Sequence, residues 1–498
     1  MVIWVLLAAC LLAGIPAGLR WLRVAQREHY LAGAVAIFAG RWWTSGLPNV
    51  LLLGLAMMGL IGSWWSVWWA FLVPLAQVGP IGLSIRGRTS PLAWTARLRR
   101  VAIVSGILML AVSIGGAAIE SGFFIALGLF LLPALIDIAL LVLGPIERRV
   151  GNRWVDQASA RLGSSAAKVV AITGSYGKTT TKQYASHLLA GSFRTVASPA
   201  SFNNRMGLAR AINEHLVPGT EVFVAEMGTY GPGEIEELTR WIRPDVAAMV
   251  AIGPVHLERF RTLERIVAAK SEILDRARVG VIAVDHPLLA GLAAERGDTM
   301  EVVTVSGDGA DARVTVHEGV IRIDGTEVGK APEDVFAVNL AAAIGIGLAL
   351  GVEPGDMVSR LDGLPRPEHR QTLSSSERGF TVIDDTFNSN PDGARVALGL
   401  LERVGDGGRK VVVTPGMVEL GPDQFAQNLS FAAESAALAD DLLIVGRTNR
   451  GALLEGSAKG GAAVTVVTNR EEAVDWVRQN LGPGDAVLYE NDLPDHYP

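Results

Sequence analysis

A chain of 498 residues is too long for one hydrophobic core, so two or three domains are expected. Its net charge of −6 hides a split: residues 1–150 hold eleven arginines, no lysine and four acidic residues, about +7, which leaves the remainder near −13. The acidic remainder excludes nonspecific nucleic-acid binding, which needs a basic footprint, and a lone cysteine, Cys10, excludes an internal disulfide or a Cys-based metal site.

The N-terminal part is apolar, arginine-flanked and holds nine of the twelve tryptophans. Apolar stretches cover 1–19, 47–83, 101–119 and 122–143. The second is too long for one crossing, since about 20 residues span the hydrocarbon core. A turn at Gly62 and Ser63 divides it, so residues 1–143 are expected to form a transmembrane domain of about five helices. The first stretch lacks a basic segment before it, unlike a cleaved signal peptide. Arginines cluster after the first span (Arg20, Arg23, Arg27, Arg41), between the third and fourth (Arg86, Arg88, Arg97, Arg99, Arg100) and after the fifth (Arg148, Arg149, Arg153). The positive-inside rule then puts the N-terminus outside and everything beyond residue 144 in the cytoplasm. Asp137 is the one acid within a span, and a polar helix contact or lipid-headgroup site explains it better than transport.

Residues 144–166 read as an amphipathic, arginine-rich linker. Lys168-Val-Val-Ala-Ile-Thr173 is a β-branched run expected to be a buried parallel strand, and it feeds into Gly174-Ser175-Tyr176-Gly177-Lys178-Thr179-Thr180 and then a helical pattern. Strand, glycine loop, Lys-Thr and helix are the context of a phosphate-binding loop. Its backbone N–H groups wrap phosphate oxygens at the positive end of the helix. Lys178 would neutralise the β- and γ-phosphates of ATP, and the Thr179 hydroxyl would ligate Mg2+. The loop is two residues shorter than the usual spacing.

Further along, Glu226 stands at the end of a second apolar strand, Val222 to Ala225, where ligands bind in open α/β sheets. A third strand leads to His256, and Lys270 lies on the helical stretch after it. Asn203 and Asn204 sit in a polar segment after the phosphate-loop helix. Asn339 opens an alanine-rich helix, where capping is one explanation. Prolines near 364–370 mark a domain boundary. Beyond it a strand ends in Asp384-Asp385-Thr-Phe-Asn388-Ser-Asn390-Pro391, and strand–helix alternation predicts a small Rossmann-like domain.

The short loop T-G-x-x-G-K-T-T resembles that of the Mur ligases, and the resemblance runs from 167 to about 485. The string from His256 to Ile273 and the D-D-x-F-N-S-N-P segment are similar to the branch that adds D-Ala-D-Ala. Beyond the α-helical transmembrane domain expected from the apolar stretches, the resemblance implies a central ATP-binding α/β domain (167–365) and a smaller C-terminal α/β domain (366–498). It implies two Mg2+ ions held by Thr179, Glu226, His256 and a carbamate made from CO2 on Lys270. Buried lysines shift their pKa readily, and a neutral amine captures CO2. It also implies adenine contact by Asn339, closure over the nucleotide by Arg370 and Asp385, an acyl-substrate loop at Asn203 and Asn204, and an amine site shaped by Asn388 and Asn390. The expected activity is ATP-dependent amide-bond formation through an acyl phosphate in cell-wall synthesis. Partners are the bilayer, a UDP- or lipid-linked precursor and an amino acid or dipeptide amine.

Two departures qualify it. Membrane helices stand where the family has its UDP-binding domain, and an acidic tail replaces the usual basic C-terminal element. They keep three rivals open: a polyglutamate-type synthase, an amidating ligase on a lipid-linked precursor with a glutaminase partner, and a nucleotide-binding membrane scaffold without turnover.

Overall fold

The apolar N-terminal third folds as helices. The computed structural model describes all residues except 88–90, 200, 201, 256, 334, 366–371, 387, 388, 406, 494, 495 and 498. Among the described residues two helices are long and apolar enough to cross a bilayer, Val2–Arg27 and Ala96–Ala118. Two bent pairs, Ala34–Trp43 with Leu47–Gly62 (109°) and Gly122–Phe130 with Leu132–Ser165 (65°), raise the number to as many as four where each pair counts as one broken span. The chain does turn at Gly62. Its return arm is only Val67–Phe71 and Leu72–Ala76, about 15–20 Å of helix against ~30 Å of hydrocarbon. The turn at Ser63–Ser66 starts this arm late and Gly79-Pro80 follows its end, so 47–83 yields a hairpin of unequal arms.

Asp137 has a structural partner. Its carboxylate accepts the backbone N–H groups of Val35 (3.3 Å) and Ala36 (2.8 Å), capping the helix Ala34–Trp43.

The expected linker is not a separate segment. Residues 144–165 continue the last apolar helix without a break through Pro145, giving a 34-residue helix. Its buried Val155, Ala158 and Leu162 join the core of the next domain, so the apolar helical region and the α/β body share a continuous helix.

That body holds a nine-stranded sheet of β1 (Lys168–Thr173), β2 (Thr195–Ala197), β3 (Val222–Glu226), β4 (Val246–Met249), β5 (Val279–Ala283), β6 (Glu301–Ser306), β7 (Val314–His317), β8 (Val320–Ile323) and β9 (Thr326–Lys330). Its order is β2-β3-β1-β4-β5-β6-β7-β8-β9, parallel as far as β7 and antiparallel beyond. The central strands are buried on both faces, as their unbroken Val/Ala/Ile runs require. The order reverses at β1, so the loop after β1 opens at the switch point where α/β sheets bind ligands.

The C-terminal sheet, β10 (Thr372–Ser375), β11 (Thr381–Asp385), β12 (Lys410–Thr414), β13 (Asp441–Val445), β14 (Ala463–Val467) and β15 (Ala486–Glu490), has order β10-β11-β15-β12-β13-β14. All neighbours are parallel except β10 with β11, which matches the Rossmann-like expectation.

Candidate active site

The phosphate loop joins β1 to the helix Lys178–Leu189 as the sequence predicts. Gly177 adopts the left-handed conformation (φ +78°), and a Cβ there would meet Asn339 Nδ2 at 2.3 Å, so only glycine fits the turn. Asn339 Nδ2 donates to the Gly177 carbonyl (3.1 Å) and to Thr181 Oγ1 (2.9 Å). The helix it belongs to, Ala337–Ala349, begins two residues earlier, so Asn339 is not its cap; its observed part is to brace the loop. Ser175 is buried, with its backbone N–H on the Ala251 carbonyl (2.8 Å) and its hydroxyl on Gly253 (3.1 Å). Thr180 is buried beneath the loop.

Three charged groups converge on it. Lys178 Nζ donates to the Gly174 carbonyl at 2.8 Å, and Lys270 Nζ reaches the same oxygen at 3.0 Å from the helix Leu263–Ser271. Glu226, at the carboxyl end of β3, is 1% exposed. Its carboxylate accepts from Thr179 Oγ1 (2.9 Å) and Asn203 Nδ2 (3.2 Å) and pairs with Lys182 Nζ (3.1 Å). Burial works to raise the Glu226 carboxyl, but the ammonium groups of Lys182 and Lys178 outweigh it and hold the group below its ordinary value. Lys270 moves the other way: burial, and then the charge of Lys178, push its ammonium well below the usual range.

Lys182 escaped the sequence reading. The available signal was spacing, because i and i+4 share a helix face and Lys182 lies one turn beyond Lys178.

The other expected residues divide. Asn204 accepts from the Gly207 N–H (2.9 Å) and caps the helix Arg205–His215, while Asn203 steadies Glu226. Asn390 likewise caps Pro391–Val404, accepting from the Gly393 N–H at 3.0 Å. Asp385 is buried at the end of β11, in register with Glu490 of β15. His256, Arg370 and Asn388 lie outside the described residues.

The site is a cavity of about 780 Å3 with walls from three parts of the chain. The central domain supplies the phosphate loop, Asn203, Asn204, Glu226, Tyr230 and Lys270, and the C-terminal domain supplies Thr386, Ser389, Glu419, Arg470 and Asp492. Arg27 and His29, at the end of the first apolar helix and just after it, complete it. In the sequence Arg27 reads only as a topology charge, and nothing there singles out His29.

The donor set suits magnesium. A hydroxyl and a carboxylate beside a phosphate loop are hard oxygen donors, and magnesium keeps waters and phosphate oxygens for its remaining positions. Among the described residues there is no cluster of three or more His, Cys, Asp or Glu side chains, so no all-protein cage competes with that arrangement.

Two family models match the sequence, the Mur ligase middle domain over residues 172–342 and the Mur ligase glutamate ligase domain over 369–489. The chain belongs to the Mur ligase family. Members of this family are ATP-dependent ligases that join amino acids to peptidoglycan precursors, and this chain is an enzyme of that type. It is 28% identical over 344 residues to the UDP-N-acetylmuramoyl-tripeptide–D-alanyl-D-alanine ligase of Bacillus subtilis (strain 168), spanning 67% of this chain and 75% of that one. The protein of the same name from Mycobacterium leprae (strain TN) is 29% identical over 375 residues, 66% and 72% of the two chains. Among solved structures, MurF from Acinetobacter baumannii superposes with a TM-score of 0.59 at 24% identity, covering 69% and 77%. MurF from Thermotoga maritima in complex with ADP gives 0.57 at 24% identity, covering 69% and 80%. Within the Mur ligase fold the phosphate loop, Glu226 and Lys270 thus occupy the middle domain, and both family matches leave the apolar N-terminal helices outside.

Proposed function

We propose that this Mur ligase is a membrane-anchored peptide ligase that activates a carboxylate of a muramoyl-peptide precursor with ATP and joins it to the amine of D-alanyl-D-alanine or a similar amino acid or dipeptide. The observation that carries this reading is the meeting of Lys178 and Lys270 on the Gly174 carbonyl, with Glu226 bonded to Thr179 and Lys182 of the adjoining helix. The helix Lys178–Leu189 and the loop N–H groups would hold the β- and γ-phosphates, with Lys178 turned from the Gly174 carbonyl toward the transferring phosphoryl group.

Thr179 and Glu226 would hold one magnesium ion. Lys270 as a carbamate, with His256, would hold a second. These ions supply charge neutralisation when bound. The Lys270 amine suits CO2 capture because burial pushes its ammonium well below the usual lysine range and so favours the neutral form. The substrate carboxylate attacks the γ-phosphorus, giving an acyl phosphate and ADP. The incoming amine then attacks the acyl carbon, forming the amide as inorganic phosphate leaves and the nitrogen loses its proton. Closing the C-terminal domain over the site would align both reactants and exclude water. The arginine distribution, with Arg20, Arg23 and Arg27 on the ligase side of the first helix, supports a cytoplasmic ligase and an N-terminus outside.

The test is magnesium-dependent phosphate release by the full chain in detergent, with UDP-linked muramoyl tripeptide or its lipid-linked counterpart and a panel of amines. Release and an amide product with wild type, lost in Lys178→Ala, support the reading. ATP turnover that no precursor or amine stimulates rules it out.

A further inference from the structure

The cavity wall built by the membrane helix is the feature that an ordinary ligase of this fold does not need. Arg27 closes a 26-residue helix, about 39 Å long at 1.5 Å per residue, against a hydrocarbon core of ~30 Å. A helix centred on the core would carry its last turn, from about Ala25, into the headgroup layer. Arg27 and His29 therefore stand at headgroup height and line the same cavity as Lys178, Glu226 and Lys270.

Their placement is fixed rather than incidental. Glu28 pairs with Arg259 of the central domain (3.1 Å) and with His496 of the tail (2.9 Å), and the Glu28 and His496 side chains are buried. The His29 ring stacks on Tyr230 (centroids 5.2 Å apart) with Nε2 3.2 Å from the Tyr230 hydroxyl, and Arg259 lies over that ring at 4.8 Å. Glu419 also lines the cavity, so its lining is of mixed charge, with Arg27 as the cation supplied by the first helix.

Resting on the ligase reading above, we infer that Arg27, with His29 beside it, forms a binding subsite for the phosphate or pyrophosphate that links the acyl substrate to its carrier. The carrier is a membrane lipid, because the subsite is delivered by a membrane helix at the height of lipid phosphates. The glycopeptide then extends from the headgroup layer to the phosphate loop. Guanidinium suits this task, since its planar fork matches phosphate oxygens.

The experiment uses the full chain in lipid nanodiscs, with one glycopeptide presented on a polyprenyl pyrophosphate or on UDP. Wild type should turn over the lipid-linked form with at least tenfold higher kcat/KM. Arg27→Gln should raise KM for that form tenfold or more with little change in kcat, and Arg27→Lys should recover part of the loss. ATP affinity of each variant reports its folding. Equal or better use of the UDP form overturns the lipid assignment, and an unchanged KM in Arg27→Gln overturns the subsite. Binding of the lipid-linked precursor, measured without amine, separates the two proposals. If wild type binds it in an Arg27-dependent way yet never turns over, the subsite stands and the ligase reading falls. Binding indifferent to Arg27→Gln removes the subsite whatever the turnover.

Discussion

Two buried ionisable groups carry the strongest residue-scale consequences. Lys270 is buried against the phosphate loop, and burial pushes its ammonium well below the usual range, toward the neutral amine that a carbamate requires. Ligase turnover should therefore fall in CO2-depleted buffer and return with bicarbonate. Lys270→Ala should lose on the order of 100-fold, the scale for groups that orient a metal, with partial rescue by a short carboxylic acid. A rate indifferent to CO2 would exclude the carbamate. Glu490 is fully buried at the end of β15, bonded by Ser389 and by Thr414 Oγ1 (2.5 Å). Burial lifts its carboxyl to about 7, against about 4.3 in an unfolded chain. A raised folded value means the folded state binds the proton more tightly. The stabilisation is full below about pH 4, is lost as pH rises to about 7, and changes no further above. Glu490→Gln should thus stabilise at pH 8 by on the order of 3 kcal/mol relative to its effect at pH 4, read from denaturant melts at the two values. The same shift at both pH values would show that the Glu490 proton plays no part.

At the scale of elements, the strand–loop–helix at 168–189 was legible because three independent signals coincide there: a β-branched run, two glycines and Lys-Thr. The sheet order around it was not, since pairing of β1 with β3 and β4 depends on non-local packing. Amphipathic residues 144–165 read as a linker because a solvent-facing connector and a helix docked on a second core share the same periodicity. The caps at Asn204 and Asn390 show the converse: resemblance assigned these residues to substrates, while local geometry uses them to start helices. One contact joins two elements across the domains. Tyr176, in the phosphate loop, donates to Asp392 Oδ2 at 2.7 Å on the first turn of Pro391–Val404. A Cβ on Gly253 would lie 2.5 Å from the same ring, so the tyrosine is held where it can reach that helix. Tyr176→Phe should lower kcat roughly fivefold, the equivalent of one hydrogen bond of about 1 kcal/mol, if this contact favours the closed arrangement. Steady-state kinetics with ATP varied decides it, and an unchanged kcat would leave Tyr176 with packing alone.

For the whole molecule, the unanticipated feature is how the two ends of the chain meet. Composition separated an apolar head from an acidic body but gave no sign that the tail returns to the head. Trp42 Nε1 donates to the His496 carbonyl (2.7 Å), Tyr497 packs edge-on to Phe38 (5.0 Å), and His496 bonds Glu28 (2.9 Å). The acidic tail thus ends in a clasp that ties the C-terminal domain to the helix bearing Arg27. Its chemistry decides how firmly the cavity wall is held. His496→Ala removes one buried partner of Glu28 and leaves Arg259 as the other, a loss of about 1–3 kcal/mol. The loss should be local, because the clasp shares no hydrophobic cluster with the central sheet. Amide exchange should therefore quicken at residues 25–30 and 489–493 while β1 and the helix Lys178–Leu189 keep their protection. Uniform loss of protection across the central sheet would instead make the clasp part of one global unfolding unit, with the membrane helices and the ligase body inseparable.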